Sequence, residues 1–307
     1  MEFTVTLADA PFDLEYTLES GQVFRWEKTG EWWVGQIGGS ILRLRQEGNS
    51  LQCMSASERL DTAFVRSYFR LDENLKEILP SIRRDQVMTN AIQKFYGLRL
   101  IRQEAWESLI SFVLATNSNI PRIRGMITKV CSRFGEAFSF DGQVYRKFPA
   151  PEPLADASIP QLQECGLGYR AKFVKHVARA VSEGKLELSE LSILDYASAR
   201  ELLLKELLDG KLLPGVGPKV ADCVLLFSCD KDEAFPIDVW IGRALVRYYP
   251  SLIERNDRKR IQSRSMRSLS GRLYDSISAS ARSYFGKYAG YAQQYLYMYA
   301  RVDNTFP

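Results

Sequence analysis

Histidine, paired cysteines and long apolar runs are scarce or missing in this sequence. A single histidine, His176, occurs among 307 residues, which excludes histidine-based catalytic triads and multi-histidine metal sites. The five cysteines are odd in number and form no CxxC pair, as is typical of a reducing compartment rather than a disulfide scaffold. No apolar run approaches the length of a membrane span, and no signal pattern opens the chain. We therefore expect an intracellular protein that does not enter a membrane.

An excess of charge of either sign is also missing. The formal net charge is +4 at pH 7, so the distribution of charge along the chain matters more than its total. Hydrophobic residues make up 46% of the sequence and charged residues 25%, which is ordinary for a soluble globular protein. The length allows two or three domains around a sizeable core.

The hydrophobic periodicity divides the chain into a strand-rich part and a helical part. Residues 31–53 alternate apolar and polar side chains between Gly-rich turns, whereas apolar residues recur at helical spacing from about residue 86. Five segments show this helical spacing, namely 86–97, 104–116, 122–135, 170–184 and 198–210. We predict an α+β protein with an N-terminal antiparallel sheet followed by a larger all-helical body.

This pattern also suggests where the domains divide. We expect an N-terminal antiparallel-sheet domain over residues 1–95 and a helical region over residues 96–307. Within the helical region, residues 111–238 form one subdomain, and residues 96–110 together with 239–307 form a second one.

The stretch LPGVGPKVADC, residues 213–223, predicts a tight turn between two helices, a helix–hairpin–helix motif. Gly215 and Gly217 allow a sharp turn and a close approach of another chain. The free amides at the start of the second helix, Val220 included, favour an anion such as a DNA phosphate. A helical hairpin that uses Gly as C-cap and Pro at its first helical position explains the turn equally well.

A possible reactive group begins the second helix. Lys219, Cys223 and Phe227 are spaced i, i+4, i+8 and share one stripe of that helix. They can form the wall of a pocket, or they can be core residues with Lys219 in solvent. Asp238 precedes a further apolar helix and is expected to be its N-cap. A rigidly held capping carboxylate also suits an electrostatic catalyst.

The hairpin, the lysine and the trailing aspartate of FPIDVW together resemble those of the helix–hairpin–helix DNA glycosylases. More narrowly, the chain resembles the 8-oxoguanine DNA glycosylases of the eukaryotic type. Four further segments match that family in the same order, so the resemblance covers nearly the full chain; they are residues 20–26, 111–126, 166–174 and 288–297. The family fold, a sheet-bearing domain on two helical domains, agrees with the periodicity.

The resemblance implies a DNA N-glycosylase and AP lyase. Lys219 would attack the sugar C1′ of a flipped 8-oxoguanine nucleotide and form a Schiff base that allows β-elimination. The amine must be unprotonated, although a free lysine titrates near ~10.4. A helix N-terminus, partial burial and nearby cations each disfavour the ammonium form. Asp238 would remain ionised and stabilise positive charge at the sugar. A phosphate-binding lysine is the alternative role for Lys219.

The resemblance also implies how the lesion is recognised. The carbonyl of Gly21 would accept a hydrogen bond from N7–H of 8-oxoguanine, which guanine lacks. Gln293 would bond the Watson–Crick edge of the base. Tyr297 would stack on one face of the base and Cys223 on the other, with Phe227 nearby. Without the family, Gly21 would be interpreted as a turn glycine, and the aromatic residues of segment 288–300 as part of the core.

A second set of residues matches the family positions that contact the base left unpaired. Asn117, Arg122 and Arg170 would bind the orphaned cytosine, and Tyr169 would fill the gap in the duplex. Without the family, both arginines read as solvated residues at helix ends. Trp240 stands where the family commonly has a phosphate-binding histidine, and Pro218 and Ser118 also differ from the human-type residues; these departures bear on phosphate anchoring and on the strictness of cytosine pairing.

The remaining expectations concern cofactors and partners. No cysteine follows Cys229, which excludes the four-cysteine iron–sulfur cluster of some related glycosylases. No metal or other cofactor is needed for the reaction. The sequence does not decide between a hairpin with a structural cation on its carbonyls and one without it. We expect a monomer that acts on double-stranded DNA containing 8-oxoguanine, in the cytoplasm or nucleoid, or in the nucleus of a eukaryote.

Two other functions are compatible with parts of the pattern. A monofunctional glycosylase of the same fold, specific for alkylated bases, would use Asp238 without a lysine nucleophile. A non-enzymatic helix–hairpin–helix DNA-binding protein would need neither Asp238 nor the Gln293 and Tyr297 pair.

Overall fold

A computed structural model describes residues 1–7, 10–208, 211–263, 269 and 271–302. Its strands are β1 Glu2–Thr6, β2 Trp26–Thr29, β3 Trp32–Ile37, β4 Ser40–Glu47, β5 Ser50–Ser55, β6 Ala137–Phe140, β7 Gln143–Arg146, β8 Glu206–Leu208 and β9 Lys211–Leu212. Its α-helices are α1 Leu14–Glu19, α2 Thr62–Tyr68, α3 Leu75–Ile82, α4 Gln86–Lys94, α5 Ala105–Ala115, α6 Ile120–Phe134, α7 Pro151–Asp156, α8 Ile159–Glu164, α9 Arg170–Ser182, α10 Glu190–Ile193, α11 Tyr196–Leu204, α12 Pro218–Ser228, α13 Val239–Tyr248, α14 Arg255–Ser263, α15 Gly271–Phe285 and α16 Ala289–Val302.

The N-terminal part forms a five-stranded antiparallel sheet in the order β1-β5-β4-β3-β2. In the central strands, Leu44 pairs with both Trp33 and Cys53, and all three are buried. The buried side chains of this face pack against helical residues such as Val65 and Phe69 in one core cluster. The predicted sheet and the α+β fold class are confirmed.

The helical body is built around α12, whose residues from Val220 to Phe227 are all buried. A helix that is covered on every side lies in the middle of its domain. Helices α5 and α11 pack against it. Lys219, the second residue of this helix, is partly exposed, so the N-terminal end of α12 faces outward while the rest of the helix lies in the core.

Two short hairpins interrupt the helical body. The helix that periodicity predicts over 198–210 ends at Leu204, and β8 then pairs with β9. The predicted end of this helix was wrong, because the apolar helical spacing continues past Leu204 although the chain leaves the helix there to form β8. The other hairpin, β6–β7, turns through Asp141 and Gly142, both with positive φ.

A buried arginine fastens the sheet domain to the helical body. Arg70 is fully buried and donates to Asp232 at 2.6 Å and to the Leu226 carbonyl at 2.8 Å. Asp230 and Glu73 also lie within ion-pair distance of its guanidinium. The segment that connects α12 with α13 is therefore bound by a residue from the N-terminal part of the chain.

The core does not divide at residue 95. Leu98 and Leu100 belong to the core of the helical body, whereas Ile101 packs in the core of the sheet. The division of the chain at residues 95 and 96, and that of the helical region into two subdomains, stay predictions. In the part of the chain that is described, the helices are too short or too polar to cross a bilayer.

Candidate active site

The hairpin before α12 requires glycine at its tightest point. Gly215 has φ +88°, and a Cβ there would lie 2.7 Å from Cβ of Phe173 on α9. Gly217 is the N-cap of α12 and Pro218 is its first residue. The next amides, including that of Val220, lie in the first turn, where a helix has no internal acceptors. The start of α12 therefore has backbone amides without acceptors inside the helix, with Lys219 beside them; that they bind an anion stays a prediction.

Lys219 lies over an aromatic pair. Its Nζ is 5.0 Å from the centroid of the Phe112 ring, and Phe112 stacks on Phe227 with centroids 5.5 Å apart. The Lys219 side chain is also close enough to Cys223 for its charge to act on the thiol. The structure thus brings together the three residues of the predicted stripe, and α5 adds a fourth, Phe112.

Cys223 is buried and its thiol is neutral. Burial raises the pKa of this thiol to about 12, although the positive charge of Lys219 opposes the rise. A neutral, polarisable sulfur is suited to contact with the face of a base rather than to nucleophilic attack.

Asp238 caps α13, as predicted. Its Oδ1 accepts a hydrogen bond of 2.8 Å from the Ile241 amide. Burial raises the pKa of the Asp238 carboxyl above its usual value, and the Ile241 hydrogen bond and the Lys219 charge oppose this rise. Asp238 and Lys219 are therefore close enough for their charges to interact.

Helix α16 forms another wall of the same site. Gln293 is only 5% exposed, and its Oε1 has no hydrogen-bond partner among the described residues. Tyr297, one turn further, faces Gly21, because a Cβ on Gly21 would lie 3.0 Å from the Tyr297 hydroxyl. Burial raises the pKa of Tyr297, and the charge of Asp238 acts in the same direction. The lesion-binding residues predicted on separate segments therefore surround one site.

The turn that contains Gly21 is held on both sides. The Ser20 carbonyl accepts from Gln294 Nε2 at 2.6 Å, and the Gln22 carbonyl accepts from Gln103 Nε2 at 2.9 Å. Gly21 has φ +77°, and its own carbonyl accepts no hydrogen bond from the residues that the structure describes. The residue that adjoins Tyr297 thus carries a carbonyl without a hydrogen-bond partner among the described residues.

The residues predicted to meet the opposite strand lie near one another but differ in exposure. Asn117 and Arg122 are exposed, and Tyr169 is 51% exposed. Arg170 is only 2% exposed, and its guanidinium donates to the carbonyls of Thr116 and Asn117. In this structure the Arg170 side chain, at the start of α9, is hydrogen-bonded to the loop between α5 and α6 and does not project into solvent.

Several residues around the site were not identified from the sequence. Phe112 lies in a segment that matches the family, but a phenylalanine in an apolar helix reads as core. Gln103 and Gln294 carry no local signal, because their partners are far away in the chain. Arg301, whose guanidinium lies 5.3 Å from the Tyr297 ring centroid, also extends the site.

Trp240 lies in the first turn of α13 and is partly exposed. The Arg243 guanidinium lies 5.8 Å from its ring centroid. Within the described ranges, no cluster of three or more His, Cys, Asp or Glu side chains is arranged to hold a metal ion.

The hairpin, the lysine beside a helix N-terminus and the capping carboxylate define a helix–hairpin–helix enzyme of the DNA glycosylase class. Residues 4–109 match the model of the 8-oxoguanine DNA glycosylase N-terminal domain, and residues 110–270 match that of the HhH-GPD superfamily base excision DNA repair proteins. The chain belongs to the 8-oxoguanine DNA glycosylase family within that superfamily.

Individual relatives agree with this assignment. The N-glycosylase/DNA lyase of Saccharomyces cerevisiae is 32% identical over 92% of this chain and 82% of its own length. That of Arabidopsis thaliana is 28% identical over 96% of this chain and 79% of its own. The 8-oxoguanine glycosylase/lyase of Clostridium acetobutylicum, solved with double-stranded DNA containing cytosine opposite 8-oxoguanine, superposes with a TM-score of 0.82 at 28% identity, over 95% and 92% of the two chains.

Proposed function

We propose that this protein excises 8-oxoguanine from duplex DNA, preferably opposite cytosine, and then cleaves the strand by β-elimination. The observation that carries this proposal is that Lys219 and Asp238 lie at one site with two hydrogen-bond acceptors, the Gly21 carbonyl and Gln293 Oε1. Neither acceptor has a hydrogen-bond partner among the described residues. The N-glycosylase/DNA lyases among its relatives support it.

The two acceptors explain selection of the lesion. 8-Oxoguanine carries a hydrogen on N7, whereas guanine has a lone pair there, so the Gly21 carbonyl attracts one base and repels the other. Gln293 Oε1 would accept hydrogen bonds from N–H groups of the Watson–Crick edge of the base. The buried oxygen would thereby gain the hydrogen-bond partner that it otherwise lacks. Tyr297 and Cys223 would cover the two faces of the flipped base, with Phe227 behind Cys223.

The chemistry then follows from Lys219 and Asp238. The C1′–N9 bond breaks and its electron pair leaves with the base, while Lys219 Nζ forms a bond with C1′. The ionised Asp238 stabilises the positive charge that develops at the sugar. After Nζ loses one proton, the C1′–O4′ bond breaks, O4′ takes up a proton and a protonated Schiff base forms between Nζ and C1′. The positive charge of this Schiff base allows removal of a C2′ proton, and the C3′–O bond then breaks with its electron pair leaving on the phosphate.

The opposite strand would be read at the Asn117 loop. Tyr169 is exposed and would enter the gap left by the flipped nucleotide, and the hairpin amides near Gly215, Gly217 and Val220 would bind a phosphate. Asn117 and Arg122, which are also exposed, would contact the orphaned cytosine. For Arg170 to do so, its guanidinium must release the carbonyls of Thr116 and Asn117. The Clostridium complex, which contains that base pair, supports cytosine as the partner.

One assay tests the proposed function. The protein is incubated with an 8-oxoguanine:cytosine duplex and sodium borohydride, and with Lys219→Gln as the matched control. A covalent adduct with the wild type that is absent from the variant supports the lysine mechanism. Base release without an adduct would instead identify a monofunctional glycosylase, and binding alone a non-enzymatic protein.

We propose that the enzyme acts as a monomer inside the cell, where its DNA substrate is located.

A further inference from the structure

A carboxylate that the proposed chemistry does not use is buried close to the catalytic lysine. Asp222 lies on α12 three residues after Lys219 and is fully buried. Its Oδ1 accepts from the Tyr196 hydroxyl and from Arg200 Nε, each at 2.9 Å. Its Oδ2 accepts from the Tyr274 hydroxyl at 2.7 Å. The carboxylate thus joins α11, α12 and α15.

Tyr274 makes a second contact that the other partners of Asp222 do not make. Its hydroxyl oxygen accepts a hydrogen bond of 3.2 Å from the amide of Ile237, the residue directly before Asp238. Tyr274 is 1% exposed, so water does not compete for either bond. A continuous connection therefore runs from α12, through one hydroxyl group, to the backbone that carries Asp238.

We infer that Tyr274 is a positioning residue that sets the placement of Asp238 relative to Lys219. Lys219 and Asp222 belong to one rigid helix, and Ile237 and Asp238 are consecutive, so the hydroxyl links the supports of the two catalytic groups. Arg200, which is itself held by Asp275 at 2.6 Å, keeps the Asp222 carboxylate fixed. The inference rests on the proposed roles of Lys219 and Asp238.

The chain offers a matched pair of variants. Tyr274→Phe removes the hydroxyl that joins Asp222 to Ile237 while it keeps the buried ring. Tyr196→Phe removes a hydroxyl from the same carboxylate but leaves the Ile237 contact intact. We expect Tyr274→Phe to slow single-turnover excision by roughly 10- to 100-fold, as small misplacements of reacting groups do. Tyr196→Phe should retain nearly the wild-type rate, and both variants should bind the lesion duplex as tightly as the wild type.

A double variant separates positioning from a general loss of structure. In an Asp238→Asn background, Tyr274→Phe should cause no further loss of rate, since the group that it positions is no longer a carboxylate. Equal rates for Tyr274→Phe and Tyr196→Phe, or equal losses in both backgrounds, would overturn the inference.

If Tyr274→Phe does not fold, Asp222→Asn decides instead: slower excision at unchanged duplex affinity supports the inference, and the wild-type rate overturns it. Failure of the wild type to excise 8-oxoguanine would contradict the proposed function itself.

Discussion

At the scale of single residues, burial acts on Cys223 and Asp238 in the same direction but with different consequences. It raises the pKa of the thiol to about 12, so that the thiol stays neutral through the physiological range. It also raises the pKa of the Asp238 carboxyl, but two helix amides and the Lys219 charge favour the ionised form. We therefore expect Cys223 to serve as an apolar surface, and we propose that Asp238 serves as a charge.

This difference predicts the pH dependence of excision. If ionised Asp238 is required, the rate falls as the pH drops through its raised pKa, above the usual value of 3.8. Asp238→Asn should remove this acid limb and slow excision at neutral pH by on the order of 10²–10³-fold. Asparagine is an equally good N-cap, so the unfolding midpoint should stay the same. A fully active Asp238→Asn enzyme would show that Asp238 is only a cap. The measurement is single-turnover excision across pH with both proteins.

Two arginines test the reading of the opposite base. Arg170→Ala should narrow the preference for cytosine over adenine opposite the lesion, since each lost charged hydrogen bond is worth roughly 1.5–3 kcal/mol. Arg122→Ala should narrow it as well, but only Arg170→Ala should also lower stability, because Arg170 is buried against the Thr116 and Asn117 carbonyls. Single-turnover excision on both pairings at two salt concentrations measures the preference. A uniform loss across pairings would show that Arg170 only holds the loop.

At the scale of elements, α16 serves the lesion site in two ways. One of its faces presents Gln293 and Tyr297, while the neighbouring Gln294 holds the Ser20 carbonyl. The same helix thus lines the pocket and fixes the turn that bears Gly21. Since a hydrogen bond to a buried acceptor resists loop movement, we expect discrimination of the lesion to depend on an element far from Gly21 in the sequence.

Gln294→Leu tests this dual role. Loss of the amide leaves the Ser20 carbonyl unpaired and loosens the turn, so the preference for 8-oxoguanine over guanine should fall by about 10-fold, which corresponds to the roughly 1–2 kcal/mol of one buried hydrogen bond. Gln93→Leu, an exposed change on α4, is the control and should leave the preference unchanged. Competition between the two bases in matched duplexes gives the ratio. If both variants show the same ratio, contacts other than that of Gln294 hold the turn in place.

At the scale of the whole molecule, Arg70 connects the sheet domain with the segment between α12 and α13. Its guanidinium is fully buried among Asp230, Asp232 and Glu73. Burial raises the pKa of the Asp232 carboxyl, while Arg70 opposes this rise. These ion pairs therefore join two regions of the chain that match separate family models.

Arg70→Met should be strongly destabilising because it leaves the buried Asp232 carboxylate without its counter-charge, whereas Glu73 and Asp230 keep an ion pair with Arg102. We expect a loss of roughly 3–5 kcal/mol in the free energy of unfolding. Arg45→Met, which removes the more exposed pair with Glu31, should cost at most about 1 kcal/mol. Urea unfolding of both variants measures the difference. Equal losses would mean that the connection between the domains is carried by apolar contacts.

The sequence by itself determined the features that depend on neighbours along the chain. Strand alternation, helical spacing, the glycines of the hairpin and the N-cap role of Asp238 are local, because each follows from the geometry of a few consecutive residues. The stripe of Lys219, Cys223 and Phe227 was predictable for the same reason. The end of α11 was not, since the apolar helical spacing continues past Leu204 although the chain leaves the helix there.

Only the tertiary structure decided which segments meet. Gly21 and Tyr297 are 276 positions apart yet in near contact, and Tyr274 links Asp222 to Ile237 from a third segment. The burial of Arg170 was likewise unpredictable, because a charged residue at a helix start is usually solvated. Periodicity determines which face of an element is buried, but the partner of that face is selected by packing over the whole molecule.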